Sequence, residues 1–563
     1  MTAIAARQTP QQKPAKQADS ETSLGVTYHR LMLAMLLFAG VTLLIALRLV
    51  FLQIFTDRPS NSIGNPLIPA RADIIDRNGI RLAGNIDAWS IAVHPKKLLG
   101  DPDELAVKLA ELMPQRSADE YRRLLTADKT FVYLNRRAMP ELVAAVNALG
   151  EPGIAFDREP ERLYPQTSLG AHIIGYTNID GKGAAGMERA MEGRLTAEGS
   201  RATPLQLSID ARVQQALESE LGAAMAKFSA IGAAGIVMDI ETGEVMAMSS
   251  LPELNPNVPG KGAAEARFNR ATLGVYELGS TFKPFTVAMA MDAGIIKSFG
   301  QMYDCPRGLP VAGFTITDTH PFGRRCSVAE IMKESSNIGT ALIADQLGAT
   351  RQKEFLAKMG FLDPIEIELK EKGRTLSPGS NWGKVATMTV GFGHGIAVTP
   401  LHLASGYATL LNGGIRRPAT LLKIGPGHQP PPGRRVFSEE TSYKMRSLLR
   451  LVVTHGTGRK ADAPGYRVGG KTGSAEKYHN RSLLVTTFAG VFPMDNPRYV
   501  IVTMLDEPKG ISETYGFRTA GWNVAPVVSR VVSRIAPMLG IAPDETQEAN
   551  LNEVLPYIAQ EKR

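Results

Sequence analysis

Glu277-Leu278-Gly279-Ser280-Thr281-Phe282-Lys283-Pro284 sets a serine three residues ahead of a lysine, at the head of an apolar run from Phe285 to Ala293 that Gly294 closes. Positions i and i+3 share a helix face, so the Ser280 hydroxyl and the Lys283 amine are expected side by side. Pro284 fits only a first helical turn, which puts Ser280 at the helix N-terminus. Free backbone N–H groups and the positive end of the dipole favour an oxyanion there. A desolvated lysine gives up its proton readily and can act as base toward the serine. Taken alone, the stretch reads better as a capping serine beside a solvated lysine. Its partners elsewhere in the chain reverse that.

Two further motifs supply them. Ser335-Ser336-Asn337 offers a hydroxyl and an amide that donate and accept together. Lys471-Thr472-Gly473, between Val468-Gly469-Gly470 and Ser474-Ala475, reads as an edge strand. Lys471 supplies positive charge, Thr472 a hydroxyl for a carboxylate, and Gly473 room for a peptide substrate to come close. Each motif is common by chance; the three in this order form a specific signal.

The totals narrow the class. A chain of 563 residues calls for two or three domains, and 44% apolar residues can build large cores. A formal charge of +8 with no dense Lys/Arg block excludes a nucleic-acid face. The nine histidines and two cysteines show no metal-ligand spacing, so neither a metal nor another cofactor is expected. Cys305 and Cys326 either pair across a short loop, if exported, or remain free thiols.

Residues 1–28 read as a disordered cytoplasmic tail and 29–55 as a membrane helix: LMLAMLLFAGVTLLIAL from Leu31 to Leu47, then Arg48 and LVFLQIF to Phe55. Arg48 falls near the far interface or against a partner helix. Arg7, Lys13, Lys16 and Arg30 outnumber Asp19 and Glu21 ahead of the run, so the body of the chain lies outside. Asp76-Arg77-Asn78-Gly79 is a hairpin turn, and Asp101 to Leu149 reads as helical. Arg162-Leu163-Tyr164-Pro165, His172 and Gly186-Met187-Glu188 read as packing rather than chemistry. Asp210 caps a helix from near Ala211. Strands follow at Ala233–Ile240, Glu244–Ser249, Val485–Val491 and Tyr499–Leu505, with loops at 306–325, 371–380 and 428–435. The fold class is α+β: an antiparallel sheet flanked by helices at 223–545, an elongated N-terminal pedestal at 56–222, and a C-terminal tail at 546–563.

With Ser280-Thr281-Phe282-Lys283, Ser335-Ser336-Asn337 and Lys471-Thr472-Gly473 in place, the chain resembles the penicillin-binding proteins and serine β-lactamases. The segments around Asp76, Arg162 and Glu188, with Asn269-Arg270-Ala271, Gly391-Phe392-Gly393 and Val398-Thr399-Pro400, are similar to class B members. Length and the short tail most resemble the division-specific penicillin-binding protein 3 group. Leu278 stands where that family usually has proline, and Ala72 where it usually has glycine. The resemblance implies a peptidoglycan D,D-transpeptidase that β-lactams acylate. Ser280 would be the nucleophile, Lys283 the base, and Ser335 and Asn337 the proton relay and substrate holder. Lys471 and Thr472 would bind the terminal carboxylate, and the N–H groups of Ser280 and Ser474 would form the oxyanion hole. It also implies stem peptides as substrates and a polytopic glycosyltransferase of the SEDS (FtsW-like) type, with other division proteins, as partners. An elongation-specific transpeptidase and a membrane β-lactam sensor or scaffold are the alternatives.

Overall fold

A computed structural model describes residues 20–54, 71–425, 430–477 and 480–558, in two compact units, Met1–Gly64 and Asn65–Arg563. In the first, helix α1 spans Ser20–Ile54, and its Arg30–Arg48 stretch is long and apolar enough to cross a membrane. Leu33, Leu37, Phe38 and Leu44 lie exposed along it. The helix starts ahead of residue 29, at Ser20. The rest of the expected tail, 1–19, falls outside the described residues, as does Phe55.

The second unit opens with the expected hairpin: β1 (Ile74–Ile75) and β2 (Arg81–Val93) pair with Ile74 opposite Ala83. The Asp76 carboxylate accepts the N–H groups of Asn78 and Ile80, and Gly79 takes the positive φ the turn needs. Helices α2 (Pro102–Leu112) and α3 (Ala118–Leu125) follow, then β3 (Val132–Ala138), α4 (Pro140–Asn147), β4 (Ile154–Leu163) and β5 (Leu205–Gln206). The sheet runs β3-β2-β1-β5, with β4 also on β2. Helices dominate 101–149 as expected, and strand β3 interrupts them. Its Val132 and Tyr133 favour an extended chain, and β2 offers an edge to pair with.

Three charged residues knit this module together. Arg71 Nη2 and Arg162 Nε lie 2.8 and 2.7 Å from the two carboxylate oxygens of Glu188, which is fully buried. Glu188→Ala strands two buried guanidinium groups and is expected to cost about 3–5 kcal/mol. Urea unfolding checks this, and an unchanged midpoint would contradict it. Beside them Ala72 is buried, its N–H bonded to Leu195 O at 2.8 Å. His172 is structural: its Nε2 meets Ala266 O at 2.8 Å, and burial pushes its pKa down to about 4.

Next comes α5 (Ala211–Lys227), capped by the Asp210 side chain as expected. The 222–223 boundary drawn from sequence cuts this helix, whose Val213, Leu217 and Leu221 share a core with strands β6 (Gly232–Asp239) and β7 (Val245–Leu251). Then come α6 (Lys283–Asp292), α7 (Val328–Glu334), α8 (Asn337–Leu347), α9 (Pro400–Leu411) and α10 (Glu439–His455). Strands β8 (Gly469–Lys477), β9 (Asn480–Phe492) and β10 (Tyr499–Asp506) and helix α11 (Val524–Met538) complete the domain. The sheet is antiparallel in the order β8-β9-β10-β6-β7. Successive strand residues serve opposite faces. Ile236 and Met238 pack with Leu401, Leu403 and Tyr407 of α9, and Val237 packs with α5 and Val528 of α11. Because both faces are covered, β6 and β10 are apolar almost without interruption.

The expected loop at 306–325 contains a hairpin, Leu309–Val311 with Phe314–Ile316. It rises from a ribbon, Met302–Cys305 with Arg324–Ser327, in which Cys305 and Cys326 form a disulfide with Cα atoms 6.0 Å apart. Of the loop expected at 428–435, residues 428 and 429 lie outside the described residues, and Arg434–Arg435 pairs with Ile415–Arg416. The segment expected as a tail packs back on the domain. Leu551 and Val554 are buried, Glu548 pairs with Arg450 at 2.6 Å, and Ser327 Oγ donates to Tyr557 O at 2.6 Å. Apolar residues spaced three apart give that segment its own inward face.

Candidate active site

The serine sits on a turn, not on the helix itself. Gly279–Phe282 forms one 3₁₀ turn, and α6 begins at Lys283 with Pro284 in its first turn. As the second residue of the turn, Ser280 keeps its N–H outside the turn's own ladder. Thr281 Oγ1 donates to Leu278 O at 2.8 Å, and Tyr407 OH of α9 donates to Thr281 O at 3.0 Å. Below, Phe285 packs edge-on to Phe282, Phe361 and Tyr407, with ring centres 5.2–5.7 Å apart. Leu278 is buried beneath the turn, where its side chain adds to the same core.

Backbone packs on backbone at both sides of this turn. A Cβ on Gly473 would stand 2.4 Å from Leu278 O, and one on Gly393 would stand 2.1 Å from Gly279 O. Gly473 therefore makes room for the nucleophile's own turn against strand β8, where the sequence suggested room for substrate.

Lys283 is fully buried, and its Nζ hydrogen-bonds Ser335 O and, at 3.1 Å, Ser335 Oγ. It does not bond Ser280. The i,i+3 expectation fails because a buried amine needs polar partners, and Ser335 supplies two. The Ser280 hydroxyl, half-buried, has no hydrogen-bond partner among the described residues. Ser335 ends α7 in the left-handed region (φ 62°, ψ 45°), a conformation unfavourable for a residue with a Cβ. That twist points both its carbonyl and its hydroxyl at the lysine.

Lys471 Nζ arrives from β8, 2.8 Å from Ser335 Oγ and 3.0 Å from Thr472 O. One hydroxyl thus stands between two buried amines. Burial, then the Lys471 charge, drive the Lys283 pKa well below the ordinary lysine value, against a smaller upward pull from Asp318. Burial alone brings Lys471 down to about 7.

The remaining sequence candidates sit around this triad. Thr472 Oγ1 pairs with Thr457 Oγ1 at 2.7 Å, and Ser474, exposed, accepts the Ala520 N–H on its Oγ at 2.9 Å. Asn337 opens α8, and its side-chain N–H donates to Thr317 O at 2.9 Å, which leaves the amide oxygen to point elsewhere. Two contributors escaped the sequence. Asp318 takes the N–H groups of Asn337 and Ile338 and the Ser336 hydroxyl, and so orders the start of α8. Thr457 buttresses Thr472. Both approach from distant loops, where no local spacing marks them.

Residues 233–529 match the penicillin binding protein transpeptidase domain, and residues 66–201 match the penicillin-binding protein dimerisation domain. The chain is 40% identical over 486 residues to the probable peptidoglycan D,D-transpeptidase FtsI of Caulobacter vibrioides, covering 84% of this chain and 82% of that one. It is 30% identical over 526 residues to the peptidoglycan D,D-transpeptidase FtsI of Escherichia coli K12, covering 86% of each. In fold it is similar to penicillin binding protein 3 of Mycobacterium tuberculosis solved with ampicillin. The TM-score is 0.66 at 24% identity, over 85% of this chain and 98% of that one.

Proposed function

The chain belongs to the penicillin-binding protein family, with its dimerisation and transpeptidase domains, and from that premise we propose that it cross-links peptidoglycan stem peptides during septal wall synthesis. The observation that carries the reading is Ser335 Oγ, bonded by Lys283 Nζ at 3.1 Å and Lys471 Nζ at 2.8 Å beside the Ser280 turn. A neutral amine, a relay hydroxyl and a cation are the parts a serine acyl transfer requires.

Ser280 Oγ attacks the carbonyl carbon of the penultimate D-alanine. Its proton passes to Lys283 and through Ser335 to the leaving nitrogen, and terminal D-alanine departs as the C–N bond breaks. The N–H groups of Ser280 and Ser474 hold the oxyanion, worth about 10²–10³ in rate for one donor. Lys471 and Thr472 bind the terminal carboxylate, and Asn337 Oδ1 accepts a substrate N–H. An amine of a second stem peptide then attacks the ester, the new amide forms, and Ser280 recovers its proton. β-Lactams acylate the same serine. Helix α1 anchors the enzyme in the inner membrane with its N-terminus cytoplasmic, and with the N-terminal module it docks on a polytopic SEDS-type glycosyltransferase and other division proteins.

The pKa directions give a pH test. The Lys471 charge pushes Lys283 down further, so Lys283 gives up its proton first as pH rises. Acylation needs Lys283 neutral and Lys471 charged. Second-order acylation by a fluorescent penicillin should therefore follow a bell, with an alkaline limb near 7 that belongs to the pair. A profile flat to about pH 9 would remove Lys471 as the titrating cation. Depletion in cells separates the roles: filaments support the septal reading, whereas rounded cells would overturn it in favour of elongation.

A further inference from the structure

Asn337 can hold a substrate only while its amide is aimed, and the groups that aim it come from a loop without a core. Residues 306–325 are all exposed or half-buried. Two of them nonetheless fix the first turn of α8. Asp318 Oδ1 accepts the N–H groups of Asn337 and, at 3.1 Å, Ile338, while its Oδ2 accepts the Ser336 hydroxyl at 2.6 Å. Thr317 O accepts the Asn337 side-chain N–H at 2.9 Å, which sets the rotation of the amide. A carboxylate suits a helix N-terminus, but only while the chain that carries it stays there.

The base of this loop is closed covalently. Cys305 and Cys326, 21 residues apart and fully buried, form the disulfide. Cys305 stands opposite Arg324 and Cys326 opposite Tyr303, so the bond joins the two strands of the ribbon from which the loop rises. Each strand has four residues, and a two-stranded ribbon by itself is marginal in water. The hairpin above it leaves Phe314 71% exposed and adds no anchor. Phe322, partly buried, and Arg324, paired with Glu330 at 2.7 Å, fasten the loop near its end. The disulfide is what limits how far Thr317 and Asp318 can stray.

We propose that the Cys305–Cys326 disulfide is a positioning element for acyl transfer: by closing loop 306–325 it keeps Asp318 and Thr317 on the first turn of α8, and so keeps Asn337 aimed. The inference rests on the transpeptidase reading, in which Asn337 accepts a substrate N–H. Asp318 has a second effect. The charges acting on Lys283 are those of Lys471, on β8, and Asp318, and only Asp318 pulls its pKa upward. An opened loop therefore lets Lys283 lose its proton at still lower pH.

The test measures second-order acylation of the full chain in detergent by a fluorescent penicillin. The variants are Cys305→Ala with Cys326→Ala, Asp318→Asn, and all three changes together. The cysteine pair and Asp318→Asn should each acylate about 10-fold more slowly than wild type, with the triple variant within about 2-fold of either. The acid limb of the pH profile should move to lower pH in all three, which a loss of stability alone does not produce. An unchanged rate in the cysteine pair overturns the proposal. So does a triple variant slowed about 100-fold, since the disulfide would then act by a route other than Asp318. Alkyl adducts on Cys305 or Cys326 in native, unreduced wild type would overturn it as well, whether or not the cysteine variants fold. Failure of the wild type to take penicillin at all would instead overturn the transpeptidase reading.

Discussion

Ser280→Ala is expected to abolish covalent labelling by a fluorescent penicillin and to lower thioester turnover by at least about 10⁴-fold. The substitution removes one oxygen that hydrogen-bonds nothing among the described residues, on a turn whose backbone is held by Thr281, Tyr407 and the glycines at 393 and 473. Stability should therefore stay within about 0.5 kcal/mol of wild type. Loss of chemistry with the thermal midpoint preserved assigns the nucleophile. Residual stable labelling, mapped by mass spectrometry to another side chain, would remove Ser280 from that role. In cells, the same variant separates catalysis from scaffolding: if it supports growth, cross-linking by Ser280 is not the essential activity.

Lys283→Met is expected to cost about 10²–10⁴-fold in acylation while leaving the protein as stable as wild type or more so. The two outcomes share one cause. Burial holds the folded-state pKa of Lys283 well below its unfolded value near 10.5. Below that value the unfolded chain binds a proton the folded chain rejects, so this lysine subtracts stability as pH falls from about 10.5 toward its folded pKa. Methionine fills similar space without the amine, and it gives up the bonds to Ser335 O and Oγ. Thermal melts at neutral and alkaline pH check the sign, because the variant's relative advantage should shrink as pH rises toward about 10.5. A variant that acylates within a few-fold of wild type would pass the base's role to Lys471.

Much of this was legible because the relevant signals are local. The turn at Asp76–Gly79, the Asp210 cap, the strand–turn–strand at 233–249 and the long apolar N-terminal helix each follow from neighbouring residues. The three motifs were recognisable for the same reason: each is a short run with its own backbone requirement. What escaped was non-local. Strand β3 exists because β2 offers an edge, and the C-terminal segment is ordered by Arg450 and Ser327 on other elements. Whether Lys283 faces Ser280 or Ser335 depends on where α7 ends, which no i,i+3 rule contains. The pairing of Cys305 with Cys326, left open by spacing, follows from the ribbon that sets their strands side by side.

Antibiotic pressure acts on this architecture unevenly. The nucleophile's turn is gripped between Gly473 and Gly393, where any side chain would meet main-chain oxygen at 2.4 and 2.1 Å. A bacterium therefore has no single-residue change at either clamp that slows acylation by a drug yet keeps the turn in place for the natural peptide. Escape by mutation must run through side chains lining the cleft, and a compound whose contacts are confined to the clamped main chain would meet a target with few ways to change.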